Sequence, residues 1–337
     1  MNATVVRAGF LTSVQDLGRL GFRQFGVSVG GALDCQALRV ANLLVGNDES
    51  AAGLEITLGG LRLRFVDDRI VAWCGGEFDV RLGSTSLPAG HAASVRGNEE
   101  LVFKQPKAGC RCWLAISGGI DVPIVLGSRS TDLRANFGGL DGRALRDGDE
   151  IALEENSKRA QSLVDLLREQ RISPWSPPHD WVSPAKHDPI LRFIRGVDWN
   201  CFNPPPRSYG AAGDLTIQRF TNEVFIVSPD SDRMGVRLEG IELKRNHDID
   251  LISEAVVPGT IQVPPGGKPI VLLGDCQTIG GYPKIAHVIT VDLPIAAQLR
   301  AGDRVRFREV SLTEAHQLLY EREKELERFR IGLSLRI

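Results

Sequence analysis

The sequence predicts a mainly β protein built as two related domains, each a closed barrel, with a few short helices. Three observations carry this. Short apolar runs, many alternating with polar residues, are punctuated by 36 glycines and 18 prolines in 337 residues. Such runs between turn formers read as short strands. Helical periodicity is confined to Cys35–Val45, Ser157–Gln170 and Ser311–Arg330. The third observation is an internal repeat. Glu55 is followed five residues on by Gly60 and then Leu61-x-Leu63, and Glu254 five residues on by Gly259 and then Ile261-x-Val263. Arg111–Gly119 is a strand ending in Gly-Gly, and Ile270–Gly281 a strand and loop ending the same way. Leu145-Arg146-Asp147-Gly148-Asp149 closes the first half, and Leu299-Arg300-Ala301-Gly302-Asp303 the second. Closure removes the edges that so many short strands would otherwise expose.

Taken in order, Val5–Phe10 reads as the first strand and Leu11–Gly31 as a glycine-spaced loop. Asp34 stands at an N-cap before Ala37, Leu38, Val40, Ala41, Leu44 and Val45, the spacing of an amphipathic helix that Gly46 ends. Ala51–Phe65 reads as a strand pair turning at Gly59-Gly60, its second arm alternating Arg62 and Arg64 with Leu61, Leu63 and Phe65. Ile70–Cys74, Phe78–Leu82, Ala92–Val95, Leu101–Phe103 and Arg111–Ser117 are further short strands, and Asp121–Gly142 is a second glycine-rich loop. Leu145–Leu153 ends this half. Ser157–Gln170 reads as a charged helix, and Ile172–Lys186, with Pro174, Pro177, Pro178 and Pro184, as an extended linker. The second half has strands at Ile190–Ile194, Phe220–Ile226, from Leu238 onward, Glu254–Val263, Ile270–Leu273, Ile285–Val291 and Asp303–Phe307, before a glutamate-rich helix over Thr313–Arg330. The predicted domains are 1–155 and 189–312, with a helix and linker at 156–188 and a helical tail at 313–337.

Composition narrows the function. A net charge of −2 lacks the basic face of a nucleic-acid binder. No apolar run approaches the roughly 18 residues of a membrane helix, and MNATVVRAGFLTSVQDLG has no signal-peptide pattern. A cytoplasmic location is expected. The six cysteines form neither a disulfide framework nor, with the six histidines, a zinc-ligand spacing, so no structural metal is expected. Phosphate-loop and nucleophile-elbow motifs are absent.

Four polar, glycine-flanked clusters remain. Ser13, Gln15, Asp16 and Arg19 form the first. Ser128, Arg129 and Ser130 form the second, where hydroxyls and a guanidinium fork suit a carboxylate or phosphate. Asp232 and Arg233 lie in the third. The fourth is Gly274–Lys284, with Asp275, Gln277, Thr278, Gly280, Gly281, Tyr282 and Lys284 held between two apolar runs, as a rigid scaffold presents a site.

At these loops the chain resembles the biotin-dependent carboxyltransferase-like family, also called allophanate hydrolase subunit 2. The resemblance is carried by TSVQDLGRLGFRQFGV (12–27), GALDCQALRVANLLVGN (31–47), LEITLGG (54–60), SGGIDVPIVLGSRSTDLRANFGG (117–139), SDRMGVRLEG (231–240), SEAVVPGTIQVP (253–264) and DCQTIGGYPKIA (275–286). It implies two tandem cyclophilin-like β-barrel domains. Ile279 departs from an expected second threonine, Val236 from a frequent tyrosine and Asn136 from a common glycine. The family divides by function. A chain of this length resembles the branch formed by the C subunit of ATP-hydrolysing 5-oxoprolinase. That branch implies the B and A subunits of 5-oxoprolinase as partners, a small amide substrate and ATP with Mg2+. Phosphorylating the oxygen of a lactam makes it a better electrophile. Arg129, Arg233 and Lys284 would then meet phosphate and developing charge. Gln277, Thr278 and Tyr282 would orient the lactam, and Asp275 would act as base or hold magnesium. Gln15, Asp16, Arg19, Ser128, Ser130, Asp232, Gly280 and Gly281 are expected to bind substrate or phosphate. A second branch transfers a carboxyl group from carboxybiotin to urea or a similar amide. Its biotin carboxylase and carrier would be other proteins, because no ATP-grasp region or biotinyl Met-Lys-Met segment is present. A third branch is regulatory and non-catalytic, antagonising a kinase inhibitor.

Overall fold

The structure is a computed structural model describing residues 2–182, 187–202, 220–245 and 251–336. Pro184 and Lys186 of the proline-rich segment lie outside the described residues. Backbone proximity divides the chain into two units: Met1–Leu20, Val29–Ala185 and Lys324–Ile337 form the first, Gly21–Ser28 and Lys186–Glu323 the second. The expected mainly β architecture is what the chain adopts.

In the first unit, β1 (Asn2–Ala8), β2 (Leu11–Gln15), β3 (Gly53–Thr57), β4 (Leu61–Phe65), β5 (Arg69–Leu82), β6 (Thr85–Ser86), β7 (Ala93–Val95), β8 (Glu100–Ile116) and β9 (Glu150–Ala152) share one sheet. Its hydrogen-bonded path runs β2-β3-β8-β4-β1-β9, with β5 on β6, β7 and β8. Among the described residues this ladder ends at β2 and β9 and does not close, unlike the closed barrel expected for this half. Within it lie β5 and β8, each expected as two short strands. They run unbroken for 14 and 17 residues, with register shifts at Gly75/Glu77, Glu77/Phe78 and Phe78/Val80. Such bulges bend a strand without ending it. Gly75 needs its positive φ of 131°, and a Cβ there would meet the Arg111 carbonyl oxygen at 2.6 Å. β3 and β4 are likewise no hairpin: both pair with β8, at different stretches of it.

The predicted first loop begins as a strand instead. Thr12, Ser13 and Gln15 fall in that expected loop, yet in β2, which lies along β3, they are 1%, 2% and 0% exposed. Helix α1 (Cys35–Leu44) forms as predicted, with Asp34 accepting from the Ala37 amide at 2.8 Å. Ser157 caps helix α2 (Lys158–Leu166) through the Ala160 amide. Val5, Val14, Leu54, Ile56, Leu63, Trp73, Phe103 and Leu114 fill the core of this unit.

In the second unit, β10 (Ile190–Arg195), β11 (Phe225–Val227), β12 (Gly235–Glu239), β14 (Thr260–Gln262), β15 (Ile270–Leu272), β17 (Lys284–Val288) and β18 (Arg304–Glu309) close a barrel in the order β10-β17-β14-β15-β12-β11-β18. Closure is completed by the parallel pair β10 and β18. Phe193, Phe220, Phe225 and Phe307 pack in its core, the Phe220 and Phe307 rings stacked at 4.6 Å. A separate ribbon pairs β13 (Glu254–Ala255) with β16 (Ile279–Gly280). The predicted tail helix spans Leu312–Ser334, burying only Leu326 and Leu333. No described helix is long and apolar enough to cross a membrane.

Candidate functional site

The structure joins the four sequence clusters into two. In the first unit, the loop at 127–131 is drawn onto β2 by Asp16. Its Oδ1 accepts from the hydroxyls of Ser128 at 2.6 Å and Ser130 at 2.5 Å and from the Gly18 amide at 2.8 Å; its Oδ2 accepts from the Arg129 amide at 2.6 Å. Both carboxylate oxygens are thus engaged. Ser130 Oγ in turn accepts from the Asp16 amide at 2.9 Å. Gln15 donates to Ser13 Oγ and to the Thr131 carbonyl. The fully buried Arg19 donates to the Ser130 carbonyl and lies over the Phe137 ring at 4.5 Å. Arg129 pairs with Glu154 at 2.6 Å and donates to the Val122 carbonyl. A cavity of about 610 Å3 opens beside this clasp, lined in part by Asp16, Asn47, Gly118, Ser128, Arg129 and Glu154.

In the second unit, the third and fourth clusters meet through one ion pair. Arg233 Nε donates to Asp275 Oδ2 at 2.8 Å and Nη2 to Oδ1 at 3.1 Å, with both side chains about 6% exposed or less. This bidentate fork occupies both oxygens of Asp275. The carboxylate expected as base or magnesium ligand therefore anchors the loop. Asp232, the neighbour of Arg233, accepts from the Met234 and Gly235 amides and shapes a turn.

Beyond that anchor the loop lies on β14 and β17. In β14, Ile261 alternates with Thr260 and Gln262, so the latter two share the opposite face of the strand. Gln262 is opposite Lys284 in the ladder and Thr260 opposite His287. Gln277 Nε2 donates to Gln262 Oε1 at 3.2 Å, and Gln262 Nε2 reaches the Tyr282 carbonyl at 3.4 Å. A Cβ at Gly280 would meet Gln262 Nε2 at 2.7 Å, so a larger residue there would push the Gln262 amide aside. Lys284 Nζ donates to Glu254 at 2.7 Å and lies 3.7 Å from Asp198. The Thr278 carbonyl accepts from the Val256 amide at 3.1 Å. Tyr282 and Ile279 are 46% and 62% exposed, and Gly281 is exposed beside them. Thr260 Oγ1 lies 3.2 Å from His287 Nδ1, and burial, then the nearby Lys284, hold that imidazole below its ordinary pKa.

Sequence reasoning passed over Arg23, Asp198, Glu254, Gln262 and His287. Arg23 donates to the carbonyls of Val256 and Gln277 and lies beside Cys276, whose thiol burial pushes up while the guanidinium opposes it. Gln262 carried a signal, an amide within the apolar run Ile261–Val263. Asp198 carried none: its contact with the Lys284 amide spans 86 residues.

A resident divalent cation does not fit this donor set. The described residues contain no group of three or more histidine, cysteine or carboxylate side chains placed to hold one, and the oxygens of Asp16 and Asp275 are engaged as above. The cations expected to meet phosphate are also paired: Arg129 with Glu154, Arg233 with Asp275, Lys284 with Glu254. What the second cluster offers along the β14–β17 pair is two side-chain amides, Gln262 and Gln277, and an ammonium flanked by the carboxylates of Glu254 and Asp198.

A family model described as carboxyltransferase domain, subdomain A and B, matches residues 25–309. The chain is 40% identical to the 5-oxoprolinase C subunit of Escherichia coli over 326 residues, 96% of each chain. It is 35% identical to the 5-oxoprolinase C subunit of Haemophilus influenzae over 318 residues, 94% of each. Among solved structures, it aligns with Kluyveromyces lactis urea carboxylase at a TM-score of 0.85 and 28% identity, covering 97% of this chain and 29% of that one.

Proposed function

Because the chain belongs to the family of carboxyltransferase domains with subdomains A and B, we propose that it is the C subunit of an ATP-dependent 5-oxoprolinase. In this reading it opens 5-oxo-L-proline to L-glutamate together with the B and A subunits. The observation that carries the reading is the 40% identity to a 5-oxoprolinase C subunit over 96% of both chains. Chemically, an amide carbonyl resists attack by water. Transfer of the terminal phosphoryl group of ATP to the lactam oxygen creates a leaving group. Water then adds to that carbon and the ring C–N bond breaks, leaving a γ-glutamyl phosphate, and a second water hydrolyses this acyl phosphate to glutamate and phosphate, with ADP as the other product. Gln277 and Tyr282 orient the lactam, and the Lys284 ammonium stands where negative charge develops. Since the candidate cations of this chain are already paired, ATP and its Mg2+ depend on groups from the partner proteins.

A second reading, carboxyl transfer from carboxybiotin to a small amide, draws on the 0.85 TM-score to urea carboxylase. It requires biotin supplied by another protein. One experiment separates the two: purify the chain with the proteins encoded beside its gene and measure 5-oxoproline-dependent ADP release. No release with both partners present refutes the first reading. Biotin-dependent bicarbonate fixation establishes the second.

A further inference from the structure

The β13–β16 ribbon carries Glu254 on one strand and leads from Gln277 into Gly280 on the other. Its pairing runs Glu254 with Gly280 and Ala255 with Ile279, and the Val256 amide then donates to the Thr278 carbonyl. Just beyond that bond, the Arg23 Nη2 donates to the carbonyls of Val256 and Gln277, the second at 3.3 Å. One guanidinium nitrogen thus ties the two strands together at the end of their short ladder.

Arg23 is itself held for this. It opens a short 3-10 turn, Arg23–Phe25, closed by the Gly26 amide donating to the Arg23 carbonyl at 3.0 Å. Gly26 has φ of 81°, a left-handed conformation that favours glycine. Gly21–Ser28 groups with the second unit although it lies early in the sequence. Among the described residues Arg23 has no carboxylate partner within ion-pair distance, unlike Arg129, Arg233 and Lys284. Its Nη2 instead goes to main-chain carbonyls on both sides of the ribbon.

We propose that Arg23 is a positioning residue for the reaction, fixing the ribbon so that Gln277 faces Gln262 and Glu254 faces Lys284. The inference rests on the 5-oxoprolinase reading for its kinetic consequence, but not for its structural one. Two variants test it in the reconstituted complex, Arg23→Ala and Arg23→Lys. Loss of charge-assisted bonds predicts a fall in kcat of about 30-fold for Arg23→Ala, with KM for 5-oxoproline within about 3-fold. Arg23→Lys, which keeps donors but not the fork, recovers part of that loss. Hydrogen exchange on the full chain reads the loop without any turnover. In Arg23→Ala, exchange should speed about 10-fold or more at 254–257 and 276–281 while the barrel strands stay protected. Wild-type complex without turnover refutes the functional reading and leaves the exchange arm to decide this one. Unchanged loop exchange overturns the proposal, as does an unchanged kcat in an active complex. A uniform rise in exchange across the barrel also overturns it, by making Arg23 a general stability determinant.

Discussion

Replacing Arg233 with methionine keeps most of the volume of the side chain and removes its charge. The structure fixes what is left behind: the Asp275 carboxylate, 6% exposed, loses the two donors at 2.8 and 3.1 Å that engage both its oxygens. Stranding one partner of a buried pair costs about 3–5 kcal/mol. For a unit of this size each kcal/mol moves the melting temperature by about 2–4 °C, so Arg233→Met should lower the melting transition of the second unit by roughly 6–20 °C. Asp275→Leu alone should do likewise by stranding the guanidinium. The double variant Arg233→Met/Asp275→Leu should be markedly more stable than either single one, because neither charge is left without a partner. Differential scanning calorimetry of the full chain measures all three. Added salt should change the wild-type transition little, since a buried pair is weakly screened. Single-variant shifts below about 2 °C, or a double variant no better than the sum of the singles, would refute the claim that this fork anchors the loop.

Three further outcomes are expected. His287 is held below its ordinary pKa by burial and by Lys284, so the unfolded chain takes up a proton first as pH falls below about 6.5. Stability should therefore decline from there toward the lower folded value, and His287→Gln should flatten that slope in melts between about pH 7.5 and 5.5. Asp16→Asn turns one acceptor into a donor facing donors from Gly18, Ser128, Ser130 or Arg129; a loss of about 2–4 kcal/mol is expected in urea unfolding. Ile279→Thr, at a site 62% exposed, should stay within about 0.5 kcal/mol of wild type. It should shift KM among small amides in the reconstituted complex.

Much of this was legible because local chemistry and tertiary structure agree. Asp34 is a cap by residue type and a cap in the fold. The apolar run Ile270–Leu272 is a barrel strand, as its composition suggests. Legibility ended where a local signal was outvoted. Thr12, Ser13 and Gln15 are polar yet buried: Thr12 Oγ1 donates to the Ala8 carbonyl, and Gln15 Nε2 donates to Ser13 Oγ and to the Thr131 carbonyl. Gly75 and Gly109 look like chain breaks, but bulges let β5 and β8 run through. At the site, residue type picked out Asp275, Arg233 and Lys284 as charged groups of interest but not their pairing, since Arg233 and Asp275 are 42 residues apart. No pattern of residue spacing marks a partner at that distance.

The strand order of the first unit also sets a timetable. β1 lies between β4 and β9, with Asn2 opposite Ala152, and Lys324–Ile337 group with the same unit. During synthesis the N-terminal strand must wait for a neighbour some 150 residues behind it, and the set of segments is complete only with the last residues of the chain. At roughly 5–20 residues per second, about 10–40 s separate the emergence of Ala152 from that of Ile337. The first unit to be made is therefore the last to have all its parts, and through that interval its unpaired strand edges are exposed to chaperones and to neighbouring nascent chains.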